Sequence, residues 1–296
     1  MKKTHLAAAA LPIAVAAVAL AAGVPPPSEL PAGAKRWTLD KTVSDIVTKA
    51  PDNLQGAVGE LKKLAAAGNP QAMAVLASYR YTGYGIWKDE SAACEEALKA
   101  YKEGAPNALN VVAPCLWDGK GTGPRKGQAQ AAYEMLSHAW ETFRYCDALT
   151  LMGQAQSMGL GTAEDPRAAE RTFRMAAQYG DGKAAYLLAK LYDHGQAGSH
   201  SPAEILWLYR EAALLGDSSG QVETARRLKN DPSTRQEAYA WATKAAEGGD
   251  VNGLRIQAEI ATKMKDTGMA PDKQALKRIN EESYQALVAP IPIKLP

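Results

Sequence analysis

The chain repeats itself about every 36 residues, and nothing else in it constrains the fold as strongly. Four spans share one skeleton: an early Ala, a Gly pair, a later Ala, and a closing Ala-Ala-x-x-Gly or a remnant of it. The Gly pairs are Gly83/Gly85, Gly119/Gly121 and Gly159/Gly161, with Gly195/Ala197 as the fourth. Their first members stand 36, 40 and 36 residues apart. Such self-similarity marks a solenoid, in which each small unit buries its apolar face on its neighbours and no single central core is required.

Each unit reads as two helices. In the span Gly68 to Gly104, Ala72, Leu76, Ala77 and Tyr79 fall on one helical face. Gly83 can end that helix in the left-handed conformation. Asp89 then caps a second helix from about Glu90 to Lys102, which carries Ala93, Ala97 and Ala100. The second repeat has Ala108, Val112 and Ala113, but Pro114 sits inside its first helix and should kink or shorten it. Its four extra residues fall around Trp140 to Tyr145. The third repeat supplies Ala148, Met152, Ala168 and Ala176-Ala177, with Asp165-Pro166 as a cap and first helical residue. The fourth supplies Ala184, Leu188, Ala189, Tyr192, Trp207, Tyr209 and Ala212-Ala213. A fifth unit, to Gly249, is trimmed in the turn between its helices. Ala and Gly at fixed positions let helix backbones approach closely, and Leu188, Tyr192 and Trp207 fill the space beside them.

The ends read differently. Residues 1–21 have the plan of a secretory signal peptide: Lys2 and Lys3, an apolar stretch from Leu6 to Leu20, and a small-residue site at Ala19-Leu20-Ala21. An uncleaved anchor is the competing reading, though the run is short for a span and holds Pro12. Residues 22–36 form a Pro-rich linker. Residues 37–67 read as helix with a break near Pro51 and a partial first repeat. The full repeats occupy 68–253. Helices within 254–288 cap the open end with Lys273, Lys277, Arg278, Glu281 and Glu282, and 289–296 is a tail.

Removing the first 21 residues lowers Lys plus Arg from 34 to 32, against 32 Asp plus Glu. The mature chain is then formally neutral. That leaves no electrostatic footprint for nucleic acid and no polybasic run for an anionic membrane. No other stretch is long and apolar enough to span a bilayer after signal cleavage. The expected location is periplasmic or secreted. Three Cys in an exported chain leave at least one unpaired within the monomer.

The repeats resemble the Sel1-like repeat family, relatives of the tetratricopeptide repeats. The third repeat carries the resemblance with Ala148, Met152-Gly153, Gly159-x-Gly161, Asp165, Ala168 and Ala176-Ala177-Gln-Tyr-Gly180. The fourth adds Tyr192, Trp207, Tyr209 and Ala212-Ala213-Leu-Leu-Gly216. The likeness covers roughly Leu61 to Gly253, and the second repeat departs most. It implies an all-α fold, a right-handed superhelical solenoid of antiparallel helix pairs. It also implies an adaptor scaffold, of a kind often exported in bacteria. Cysteine-rich relatives linked to β-lactam or cell-wall ligands carry paired Cys in nearly every repeat, and this chain does not.

Helical spacing defines a candidate binding row on the first helix of each repeat. It reads Gln71, Ala74, Ser78, Tyr81; Asn107, Asn110, Pro114, Trp117; Asp147, Thr150, Gln154, Ser157; Lys183, Tyr186, Lys190, Asp193. Polar groups with interleaved aromatics suit an extended peptide or a glycan, and Tyr81, Asn110, Trp117, Gln154, Tyr186 and Lys190 are its chief members. Ordinary surface residues, or aromatics packed at repeat junctions, are the plain alternative. Cys94 and Cys115 lie ten residues before and eleven after the turn at Gly104, so an antiparallel pair brings them level. They are either a disulfide or two buried thiols.

No catalytic or metal-binding constellation emerges, and no cofactor is called for. Gly216-Asp-Ser218-Ser-Gly220 matches the Gly-x-Ser-x-Gly pattern, but that pattern needs a preceding strand and an Ala-rich helix stands there instead. Asp193, His194 and His200 flank one loop without a standard metal spacing. The expectation is an exported scaffold that binds another protein in the bacterial envelope. A cell-wall or glycan-binding or hydrolytic protein, and a secreted effector acting on a host protein, are the alternatives.

Overall fold

The computed structural model describes residues 39–120 and 127–288. The leader, the linker, Trp37, Gly121 and the tail 289–296 lie outside the described residues. Among the described residues the chain forms fourteen α-helices and one 3₁₀ turn. It divides into two compact units, with the boundary between Thr172 and Phe173. The N-terminal unit holds α1 (Lys41–Lys49), α2 (Leu54–Ala66), α3 (Pro70–Thr82), α4 (Glu90–Lys102), the 3₁₀ turn Pro106–Ala108, α5 (Leu109–Trp117), α6 (Gln128–Phe143) and α7 (Asp147–Met158). Helix α8 (Pro166–Gln178) contains the boundary. The C-terminal unit continues with α9 (Gly182–Asp193), α10 (Pro202–Leu214), α11 (Ser218–Leu228), α12 (Arg235–Glu247), α13 (Val251–Asp266) and α14 (Lys273–Val288).

Two local devices produce the hairpins. The first is a Gly-Asx joint between one repeat and the next. Gly68, Gly180, Gly216 and Gly249 all take positive φ, which ends the helix before them at little steric cost. The next residue, Asn69, Asp181, Asp217 or Asp250, caps the following helix by accepting backbone N–H bonds from its first turn. Each such cap is worth about 1 kcal/mol. The second device starts the second helices. Asp89 caps α4 through Ala92 N at 3.0 Å, and Asp165 caps α8 through Arg167 N and Ala168 N. Ser201 and Glu204 form a reciprocal capping box before α10.

The second repeat lacks the Gly-Asx joint. Ala105 stands in the cap's place, a 3₁₀ turn precedes α5, and Pro114 lies within a helix of only 9 residues, against 13 in α3 and 12 in α7. The helix continues through Pro114 to Trp117, and its lost length lies at its start, where the 3₁₀ turn replaces the first helical turn. The four-residue insertion lengthens α6 to 16 residues, and Arg144 then takes φ 51° to end it.

Successive helices are antiparallel and packed through small residues. Gly253 of α13 faces Ala245 of α12, while Gln257 hydrogen-bonds Thr243 at 2.9 Å, so contacts advance along one helix and retreat along the other. A Cβ on Gly253 would lie 2.7 Å from that of Ala245, and one on Gly220 2.7 Å from that of Ala212. Ala72, Ala77, Ala93, Ala97, Ala184 and Ala189 are wholly buried for the same reason. Larger side chains fill the rest: Leu109, Leu136 and Tyr145 in the N-terminal unit, and Trp241, Ile260 and Met264 in the C-terminal unit. Polar ties then join groups about one repeat apart in sequence. Asn69 donates to Asp40, Ser218 to Asp250 at 2.6 Å, Lys229 pairs with Glu259 at 2.7 Å, and Lys244 donates to Asn280 at 2.7 Å.

Candidate functional site

The first helices of the N-terminal unit present their row unevenly. Ala74, Ser78 and Thr150 are buried. Gln71 accepts a bond from Asp40 N and so serves the N-terminal edge. Tyr81 and Trp117 are half-buried and pack against the main hydrophobic cluster of this unit. Burial raises the Tyr81 hydroxyl's pKa, with the carboxylate of Asp118 on the next repeat adding to it. Asp147 accepts from Tyr145 Oη at 3.0 Å, and Ser157 bonds back to the Gln154 carbonyl. Asn110 and Gln154 are half-buried, and their side chains make no hydrogen bond among the described residues. Two more polar atoms of the second repeat, Asn107 Oδ1 and Trp117 Nε1, are buried without a partner. This face is neutral, and much of its hydrogen-bonding capacity is unused.

The C-terminal unit builds a charged version of the same face. The ammoniums of Lys183 and Lys190 lie 4.7 and 5.9 Å from the centre of the Tyr186 ring. Tyr209 of α10 supports that ring from 5.9 Å, inclined by 52°. Such cation–π contacts are worth about 0.5–1 kcal/mol where exposed. Burial raises the Tyr186 pKa, and Glu223 of α11 and its cap Asp217 add to it. Asp193 is taken: Arg227 donates to it at 2.6 Å, and Tyr209 Oη at 3.5 Å. The guanidinium of Arg227 also covers the Tyr209 ring at 4.8 Å.

The row continues past the fourth repeat, which spacing from the Gly pairs does not reveal. Counting from the caps does. Lys190 stands nine residues after Asp181, and Arg226 nine after Asp217. Tyr186 stands five after Asp181, and Arg255 five after Asp250. Thus α11 and α13 add Arg226, paired with Glu223, and the exposed Arg255.

Other singled-out residues have structural posts. Cys94 of α4 and Cys115 of α5 are joined as a disulfide, with Cα atoms 5.8 Å apart, and Cys146 is buried. Ser218 is the first residue of α11, and its hydroxyl donates to the Asp250 cap. The surrounding glycines serve close packing and a helix joint. His200 stacks face to face on Tyr192 at 3.4 Å, whereas Asp193 is held by Arg227, so this loop's groups are drawn to separate partners. Burial pushes the Asp217 carboxyl up to about 6, against the opposing pull of Lys183 and of the Gly220 N–H. No described helix is long and apolar enough to cross a membrane.

Comparison with known proteins gives the fold a precedent. No family profile matches the chain, and no curated protein sequence does. A Sel1 repeat protein from Oxalobacter formigenes superposes with a TM-score of 0.53 at 23% identity, over 82% of this chain and 99% of that one. Protein 5086 of Pseudomonas aeruginosa superposes with a TM-score of 0.50 at 18% identity, over 86% of each chain. The fold is therefore the Sel1-like helical repeat.

Proposed function

We propose, from this Sel1-like repeat fold and the faces its first helices present, that the chain is an exported scaffold of a bacterial cell envelope. It holds another protein, or a segment of one, against those first helices. The observation that carries this reading is the unused bonding capacity of the row. Asn110, Gln154 and Lys190 reach no hydrogen bond or ion pair among the described residues. All three are partly exposed, so their unused donors and acceptors are open to a guest's hydrogen bonds. Export is supported by the leader-like residues 1–21 and by a cysteine pair suited to an oxidising compartment.

The test is affinity capture by the mature chain from envelope fractions. Truncating Tyr81 or Trp117 would open the core, so the comparison variant combines Asn110→Ala, Gln154→Ala and Lys190→Ala. A partner recovered with the wild type and lost with the triple variant is the expected result. Recovery of the same partner by both contradicts the reading. The intact mass of protein from the exported fraction should lack residues 1–21; retention of the leader contradicts export.

A further inference from the structure

The charge on the C-terminal unit's first helices says what kind of segment they take. Three carboxylates on these helices are already engaged, Asp193 by Arg227, Glu223 by Arg226, and Glu259 by both Lys229 and Lys263, while Asp266 lies at the far end of α13. Lys190 and Arg255 have no carboxylate partner among the described residues. Lys183 forms no ion pair there either, though its charge acts on the buried Asp217, which caps α11. Yet Lys183 and Lys190 converge on the one ring of Tyr186. They stand three residues before and four after Tyr186, so they flank its ring on the helix surface and offer two ammonium donors to an incoming carboxylate. The position of Lys190 holds Arg226 one repeat on and Glu259, tied to two lysines, two repeats on, where the position of Tyr186 is taken by Arg255.

We propose that this face of α9, α11 and α13 binds an extended acidic peptide segment, with carboxylates set about three residues apart. This rests on the scaffold reading above and names its partner's chemistry. The spacing follows from geometry. Packed helices lie about 8–10 Å apart. A chain extended as a polyproline II helix has three residues per turn and rises about 3.1 Å per residue, so every third side chain returns to one face about 9 Å further on. Tyr186 supplies an apolar floor for the intervening backbone, and Tyr209 holds it in place.

The experiment titrates the full mature chain with two labelled 15-residue probes, five copies of Glu-Ser-Gly and five of Gln-Ser-Gly, followed by fluorescence anisotropy. The Glu probe should bind at least about tenfold more tightly than the Gln probe, and its affinity should fall as salt rises. Combined Lys183→Gln, Lys190→Gln and Arg255→Gln should lower Glu-probe affinity about tenfold or more, with the helical circular dichroism unchanged. Equal binding of both probes, or no loss in the variant, overturns the acidic assignment and leaves the scaffold reading standing. Failure of both probes also overturns it, while the envelope capture judges the scaffold reading separately. Binding to phosphatidylglycerol vesicles or duplex DNA that the same variant abolishes, without binding of the Glu probe, overturns the peptide assignment as well.

Discussion

The two units use one backbone plan and put opposite chemistry on it. In the N-terminal unit the first helices α3, α5 and α7 carry only Arg80 and Asp147 as charged residues, and Glu96 and Tyr145 engage both. Amides and core-packed aromatics make up the rest of that row, and a disulfide ties α4 to α5 behind it. In the C-terminal unit, α9, α11 and α13 carry Lys183, Lys190, Arg226, Arg227, Arg255, Lys263 and Lys265 with the acids Asp193, Glu223, Glu259 and Asp266, and no disulfide is present among its described residues. Positions that fix the hairpin, the Gly-Asx joint and the small residues, recur in both units. The accessible positions of the first-helix row, such as Asn110, Gln154, Lys190 and Arg255, differ between units because little packing depends on them. The repeat therefore separates folding from recognition within each unit of about 36 residues.

The largest effect should come from the tip glycines. Gly161 has φ +77°, and an added Cβ would sit 2.0 Å from the Ala129 carbonyl oxygen, a backbone atom that cannot swing away. Gly161→Ala should cost about 4 kcal/mol from overpacking and strain together. In the C-terminal unit Gly195 has φ +67° with open space around it, so Gly195→Ala should cost only about 1 kcal/mol. Urea unfolding of both variants checks this, and equal losses would break the contrast.

Next in size is the cross-link. Cys94→Ala with Cys115→Ala should destabilise the N-terminal unit by about 3 kcal/mol, the chain-entropy value for a separation of 21 residues. Hydrogen exchange should quicken in α4 and α5 while α11 to α13 keep their protection. A thiol count on denatured, unreduced protein gives a direct check: one free thiol is expected, and three would exclude the bridge.

Asp217 then sharpens the contrast from the other side. Its folded pKa of about 6 lies above the ordinary 3.8, so the folded state binds the proton more tightly than the unfolded one. Stability from this group therefore rises as pH falls from about 7 to about 4, the reverse of a salt-bridged carboxylate. Asp217→Asn keeps an acceptor for the cap and removes the buried charge. It should stabilise the protein by about 1–2 kcal/mol at neutral pH and flatten that pH dependence. A variant less stable than wild type at pH 8 would contradict the sign.

The smallest effect should be on the row itself. Lys190→Gln should change stability by less than about 0.5 kcal/mol, because its ammonium makes only a cation–π contact at 5.9 Å. A loss of several kcal/mol would mean that the charge serves the fold and not a guest.

Much of this architecture is legible in the sequence because its causes are local. Asp89 and Pro166 mark where α4 and α8 begin, since caps act within one turn, whereas Pro114 is accommodated inside α5 and the shortening comes from the uncapped start at Ala105. The candidate site is legible only in part. Spacing assigns Tyr81 and Trp117 to a helical face, but it cannot show that other helices lay a hydrophobic cluster against that face. The convergence of Lys183 and Lys190 on Tyr186 is a matter of side-chain direction, which periodicity does not carry. Arg226 and Arg255 are missed when repeats are aligned by their Gly pairs, because the trimmed fifth unit has none. The cap positions Asp217 and Asp250 keep the register, since each must still start a helix.

The central claim is that first helices receive the guest while second helices hold the stack. Hydrogen exchange of the full mature chain, with and without the partner captured from envelope fractions, tests it most directly. The account predicts new protection in α3, α5, α7, α9, α11 and α13, with little change in α4, α10 and α12. Protection confined to the second helices, with the first helices unchanged, would contradict it.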